Sequence, residues 1–534
     1  MSGLYIFCNI FLICWIFLPD APIMFIRKEG VQMKKKFYWS NAIPRAIFVG
    51  ISILLQVAWI LLTILVLNES VPWLEGLTRL LSVAVVLYLN SKHTNAAYKI
   101  PWIMLIIAMP VMGLSLYLLL VIFGDLGSIG KRMQKVRSHT RACLQDAGVP
   151  QISGIGAYLK EQLSCPVYGG TDTRYFSEAS DALEALKADL EQAEDFIFME
   201  YFIVSGDSAF QEIGDILIRK ARQGVDVRFM YDDVGSVGYV NMMFARRLSE
   251  AGIQCMVFNP ALPVLNLFMN HRDHRKITVI DGKVGFTGGY NLSDEYFGRK
   301  NPYGHWKDTG IRMEGDAVRS LTASFLETWN TCTRKEESPE PYLSVRHTVS
   351  HAKGFVQPYE DNPLGGERAA ENVYLNLCYL AKKTLYVMTP YLIITDEMTN
   401  ALGMAAKRGV DVRIITPGIP DKKVVYAVTR SYYAGLAAQG VRIFEYTPGF
   451  CHGKQMLCDG SIASIGTSNL DYRSLYLHFE NNVLLYETPA VRQMAEDFEA
   501  LFPQCEEVTQ RYRTGRTKVL RAGQYILRLF APMM

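Results

Sequence analysis

Two stretches of this 534-residue chain carry the same reactive side chains at the same spacing. The first reads His274-Arg-Lys276, four residues, Asp281, six residues, then Gly288-Gly289-Tyr-Asn291. The second reads His452-Gly-Lys454, four residues, Asp459, six residues, then Gly466-Thr467-Ser-Asn469. On a strand, residues two apart share a face, so each His and its Lys look onto one surface. A neutral imidazole is a nucleophile and an acid or base near neutral pH. A lysine ammonium suits a phosphate oxygen, and the Asn291 or Asn469 amide adds a donor for the same oxygen. Two such sets facing each other supply a double displacement on a phosphodiester. One His attacks phosphorus; the other protonates the departing alkoxide and then deprotonates the incoming hydroxyl. Lysine charge takes the place a metal would hold, so neither a metal nor another cofactor is expected. Cys451 and Cys458 flank the second His, as a zinc site would want, but the first copy has no Cys there. Asp281 and Asp459 complete the motif and are grouped with the catalytic residues. Each precedes a glycine, which is turn chemistry, so they are expected to shape the loop rather than touch substrate.

The elements that must position these groups are themselves repeated. FIFMEYFIVSGD followed by KARQGVDVRFMYD resembles LYVMTPYLIITD followed by AKRGVDVRIITPG, and Gly224–Arg228 is identical to Gly409–Arg413. Strands alternate with amphipathic helices in each copy, which predicts an α/β fold built by duplication. Before residue 125 the pattern is different. Ala46–Leu67 and Pro101–Phe123 are uncharged runs long enough to cross about 30 Å of hydrocarbon. A weaker run at 76–91 carries Arg79 near its start, and 4–18 is a possible extra span unless the natural start is Met33. The expected division is a membrane region (1–125), a basic juxtamembrane linker (126–165), a first α/β domain (166–335), a connector (336–362), a second α/β domain (363–510) and a basic amphipathic tail (511–534).

Composition narrows the function. Half the residues are hydrophobic and 20% are charged, which excludes a disordered chain. Ten Cys are too sparse for a disulfide scaffold, and a net charge of +3 argues against nucleic acid as partner. Basic clusters lie before the first span (Arg27 to Arg45) and after the last (Lys131 to Arg141). Three spans would put them on opposite faces; two would put them together but strand Lys92 and Lys99 on the other side. The catalytic part is expected to face the cytoplasm, where Cys451 and Cys458 stay reduced. The basic Lys131–Arg141 segment and the tail are expected to meet an anionic membrane surface. The sequence carries no sign of oligomeric state.

The paired HxKxxxxD motifs resemble the phospholipase D superfamily. The longer segments NHRDHRKITVIDGKVGFTGGYNLSDEY, HWKDTGIRMEG and GFCHGKQMLCDGSIASIGTSNLDYRSLYLHFENN resemble bacterial cardiolipin synthases. That resemblance implies two α/β/α halves in pseudo-two-fold arrangement sharing one active site, preceded by transmembrane helices. It implies phosphatidyl transfer between two phosphatidylglycerol molecules, giving cardiolipin and glycerol through a phosphatidyl-histidine. His274 would be the nucleophile and His452 the acid and then the base. Asp308 and Glu480, downstream of the two motifs, would each orient the motif's His. The alternatives are a hydrolase of the same superfamily or a transphosphatidylase using another acceptor alcohol. A non-catalytic lipid-binding protein would lose a His or Lys from one motif, and all four are present. Gly289 stands where many superfamily members carry Ser, which puts substrate preference in question rather than reaction class.

Overall fold

The computed structural model describes residues 43–123, 127–144, 154–241, 243–261, 270–335 and 337–514, with Arg528 and Ala531. The possible span at 4–18 and most of the tail lie outside the described residues. The chain divides into two compact units, one of Met1–Ser128 with Asn259–His271 and Leu529–Met533, the other of Ile129–Phe258 with Arg272–Arg528 and Met534.

The first unit is helical: α1 (Ile43–Ser70), α2 (Pro72–Ser91), α3 (Ala96–Ala108) and α4 (Pro110–Phe123). Val71, extended at φ −128° and followed by proline, separates α1 from α2. Within α2, Trp73–Ser91 is long and apolar enough to cross a membrane, and only 11% of its apolar window is buried. Trp59, Trp73 and Leu80 are likewise about 70% exposed (72%, 70% and 69%), which a water-soluble core helix would not tolerate. The expected span at 101–123 is not one helix. The chain breaks at Met109, φ −139°, because Pro110 cannot continue a ladder and disfavours helix at the residue before it. The two pieces fold back on each other. Trp102 meets Tyr117 edge to face at 5.9 Å, and a Cβ on Gly113 would stand 2.7 Å from the Ile106 Cα. Both pairs are symmetric about Met109 and Pro110, as a helical hairpin requires. The weaker run at 76–91 thus lies in a helix long and apolar enough to cross a membrane, and a stronger run became a hairpin.

The second unit holds two sheets. The first comprises β1 (Thr171–Phe176), β2 (Phe196–Tyr201), β3 (Asp226–Asp232), β4 (Gln254–Phe258), β5 (Lys276–Ile280), β6 (Val284–Gly288) and β8 (Gly310–Gly315), in the order β1-β8-β6-β5-β2-β3-β4. The second comprises β9 (Phe355–Asp361), β10 (Thr384–Met388), β11 (Asp411–Pro417), β12 (Arg442–Tyr446), β14 (Gln455–Cys458), β15 (Ile462–Gly466), β16 (Glu480–Tyr486) and β17 (Cys505–Glu507). Read from β9, its order is β9-β16-β15-β14-β10-β11-β12-β17, the first sheet's order plus one edge strand. β2, β3 and β4 run parallel, as do β10, β11 and β12, and the remaining pairs are antiparallel. Every residue of β2 is buried, as a strand covered by helices on both faces must be.

Two expected boundaries move. β9 lies inside the expected connector; Pro358 is tolerated there because β9 is an edge strand bonded only to β16 among the sheet's members. The expected linker contains helices Gly127–Ala142 and Ile155–Leu163. Arg137 and Arg141 of the first are not offered to lipid. Arg141 binds Glu327 at 2.5 Å and Glu360 at 2.8 Å, and Arg137 pairs with Glu360.

Candidate active site

Each motif begins where its sheet's fifth strand in chain order starts. Lys276 opens β5, and Lys454 immediately precedes β14. Both strands insert antiparallel beside the parallel set, so their first residues lie at the C-terminal ends of β2 and β10. Open α/β sheets place their reactive clefts at those ends. Two short strands, β7 (His305–Lys307) and β13 (Gly449–Cys451), then pair in parallel across the halves.

That pairing continues into the site. The His452 amide donates to the Lys307 carbonyl at 2.7 Å, and the His274 amide donates to the Phe479 carbonyl at 2.9 Å. The residues after those carbonyls are Asp308 and Glu480. His452 Nδ1 lies 2.6 Å from Asp308 Oδ2, and His274 Nδ1 lies 2.9 Å from both Glu480 oxygens. The expectation that each carboxylate serves its own motif is therefore corrected: the pairs are crossed. Asp308 of the first half holds the His of the second, and Glu480 of the second holds the His of the first. A carboxylate at Nδ1 keeps the proton there and leaves Nε2 free to react. Gly289 makes one of these pairs possible, because a Cβ there would lie 2.0 Å from Asp308 Oδ1. The residue that looked like a departure from the superfamily is required by this contact.

Each lysine folds back onto its own motif. Lys276 Nζ donates to the His274 carbonyl at 2.6 Å, and Lys454 Nζ donates to the His452 carbonyl at 2.5 Å while lying 2.8 Å from His452 Nε2. All four groups are buried, and burial dominates their chemistry. It pushes His452 down to about 4 and His274 well below its usual 6.5, with the lysine charges adding to the effect. It pushes Lys276 to about 7 and Lys454 to about 8, although Glu480 and Asp308 pull both back up. Burial would raise Asp308, but His452 and Lys454 outweigh it and hold it below its ordinary value. The crossed carboxylate–histidine pairs bring the two motifs into one site.

Asp281 and Asp459 stand at the far ends of β5 and β14, about 17 Å of extended strand from the lysines. Asp281 accepts the amides of Glu194, Asp195 and Phe196 at 2.8–2.9 Å. Asp459 accepts those of Lys382, Lys383 and Thr384 at the same distances. Both sit in the left-handed region, φ 51° and 50°. They staple the loop before β2 or β10 and do not belong with the reacting groups. Asn291 Oδ1 accepts the Ile203 amide at 3.0 Å. Asn469 bonds Asp471, and its Oδ1 is buried without a hydrogen-bond partner among the described residues.

Several neighbours escaped the sequence. Thr467 donates to Glu480 at 2.5 Å, and the Lys276 amide donates to Asn481 at 3.2 Å. His478 places its ring 5.5 Å from that of His274 and its Nδ1 3.8 Å from Glu480. His274, His478 and Glu480 present ligand atoms within 4.8 Å of one another, a set able to hold a cation and distinct from the cysteines that flank His452. Phe202 packs on His274, while Tyr296, Trp306 and Phe450 surround His452. The sequence signal for this shell is position within the quoted segments: Thr467 in the second motif, Phe450 in GFCHGK, His478 in HFENN and Trp306 in HWKDTG. Arg275 and Asp273, which flank His274 in the chain, pair with each other at 2.9 Å, and Arg275 also meets Glu200 at 2.7 Å.

Both the sequence and the fold have known relatives. A family described as cardiolipin synthase, PLD-like domain, matches residues 186–329 and 374–502, one block in each half. A cardiolipin synthase of Halalkalibacterium halodurans is 33% identical over 472 residues, 85% of this chain and 92% of the relative. One from a Geobacillus species is 33% identical over 483 residues, 86% and 94% of the two chains. An uncharacterized protein of Streptococcus mutans is 38% identical over 463 residues, 85% of this chain and 100% of the relative. Among solved structures, a phosphatidylserine synthase of Haemophilus influenzae has the same fold, with a TM-score of 0.53 at 13% identity, covering 72% of this chain and 100% of that one. The matched blocks bracket both histidine–lysine motifs, and the chain belongs to the cardiolipin synthase family with paired phospholipase D-like domains.

Proposed function

We propose that the protein joins two phosphatidylglycerol molecules into cardiolipin and releases glycerol. The crossed carboxylate–histidine pairs carry this reading, because they prepare two imidazoles for opposite tasks on one phosphate. His274 Nε2 attacks phosphorus; the bond to the glycerol oxygen breaks, and His452 delivers the proton that oxygen takes. The hydroxyl of a second phosphatidylglycerol then gives its proton to His452 and attacks phosphorus, and the P–N bond to His274 breaks. Lys276 and Lys454, with the Asn291 and Asn469 amides, offset the phosphate charge, whose arrival favours the protonated forms of the lysines and of His452. The histidines are 7% and 6% exposed, which favours a lipid hydroxyl over water at the intermediate. The test is mass spectrometry of phosphatidylglycerol vesicles incubated with the protein and a chelator. Cardiolipin with free glycerol is expected, and none from His274→Ala. Phosphatidic acid instead would make the protein a hydrolase. Loss of turnover in chelator would bring a metal into the chemistry, at His274, His478 and Glu480.

The site works on a membrane. In this reading α1 crosses the bilayer, α2 returns after the turn at Val71, and the α3–α4 hairpin enters and leaves by one face. Lys92, Lys99 and the clusters at Arg27–Arg45 and Lys131–Arg141 then all lie on one side, the cytoplasmic one, removing the conflict among the basic residues. Single cysteines at Thr94 and Ser128, in a background without accessible thiols, are expected to react with an impermeant maleimide only from the cytoplasmic side. Labelling of the two from opposite sides would refute the hairpin.

A further inference from the structure

The reacting histidines are buried, yet the substrate in the reading above has two acyl chains, so its headgroup must be presented from a bilayer. The segment Gly418–Val424 lies near the site, joined to His452 through Tyr391 and Phe450. It follows β11 at the C-terminal end of the strand, the end where the motifs lie. Its backbone is fixed from below: the Gly418 amide donates to Tyr446 at 3.0 Å and the Ile419 amide to Gly449 at 3.1 Å. Tyr391 donates to Asp421 at 2.5 Å, and Lys422 lies 5.6 Å from the Tyr391 ring. Tyr391 packs on Phe450, which packs on His452. From above, the segment is open. Ile419 and Val424 are 40% and 39% exposed, and Lys422 and Lys423 are exposed between them. Exposed apolar side chains beside lysines are what an anionic interface binds, acyl boundary for the one and phosphate for the other. Other exposed apolar side chains, Tyr379 and Leu380, precede β10 and so lie at the opposite end of its sheet.

We propose that Gly418–Val424 is a rigid lip that docks the catalytic unit on the surface of an anionic bilayer, with Ile419 and Val424 entering the acyl boundary and Lys423 meeting lipid phosphates. This rests on the transferase reading, and the assay separates the two. The full-length protein is compared on long-chain phosphatidylglycerol in vesicles and, in detergent, on a short-chain phosphatidylglycerol that stays monomeric. The double variant Ile419→Ser/Val424→Ser is expected to lose about tenfold on vesicles and to stay within about twofold on the monomeric substrate. Lys423→Glu, an exposed change that does not threaten folding, is expected to lower the vesicle rate and flatten its dependence on salt. Full vesicle activity in all variants, or Lys423→Glu with an unchanged salt dependence, overturns the lip. Inactivity of the unaltered protein on both substrates overturns the transferase reading instead.

Discussion

His274 and His452 sit in matching motifs but are gripped differently. His274 faces both oxygens of Glu480, which also takes the Thr467 hydroxyl, whereas His452 has one short contact to Asp308 and a lysine against its ring. Asp308→Asn is therefore expected to disturb the distant motif's histidine. The side-chain ¹⁵N resonances of His452 should move while those of His274 stay, and kcat should fall about 10²- to 10⁴-fold, as when a triad carboxylate is neutralised. Movement at His274 instead would refute the crossed pairing. The pH profile follows from burial. A lowered histidine is neutral above its pKa, so attack by His274 is lost only as pH falls well below 6.5. A lowered lysine loses its charge as pH rises, so kcat/KM should decline through about 7 to 8. In kcat that alkaline limb should shift upward, because bound phosphate favours charged lysine; identical limbs would show that the lysines do not meet the phosphate. The paired histidines and lysines were legible from type and spacing, whereas both carboxylates followed only from the resemblance to bacterial cardiolipin synthases. Which carboxylate meets which histidine was not legible, because the pairing depends on how β7 and β13 meet across the halves, and each is three residues long.

Asp281 and Asp459 act on elements rather than on substrate. Each holds three amides of the loop entering a central strand from a left-handed conformation. Asp459→Ala is expected to cost about 2–4 kcal/mol in chemical denaturation, while the folded fraction keeps its turnover within about threefold. A collapse of kcat at unchanged stability would return the aspartate to the chemistry. The three amide donors hold Asp459 below its ordinary pKa against the effect of burial. Its contribution is present at neutral pH and is lost as pH falls through that depressed value. The duplicated α/β pattern was legible because the strand, helix and turn signals recur in one order, down to the shared Gly-Val-Asp-Val-Arg. β9 was missed because Pro358 and the charged run before it read as a connector. The α3–α4 hairpin was missed because hydropathy counts composition, whereas the break depends on a proline meeting a close helix–helix approach at Gly113.

At the scale of the molecule, neither half is complete. Arg141 ties Glu327 of the first half to Glu360 of β9, and the two motif histidines each depend on a carboxylate from across the divide. Opening the chain at about residue 350, before β9, should give two fragments that are inactive alone and regain turnover when co-expressed. Turnover by either fragment would contradict a shared site. The interlock also has a consequence in time. His274 and Glu480 are 206 residues apart. A ribosome adding roughly 5–20 residues per second makes His274 about 10–40 s before the Glu480 that pairs with it. During that interval the nascent chain carries His274 without the carboxylate that holds its ring. The order of synthesis thus delays assembly of the site until β16 is made.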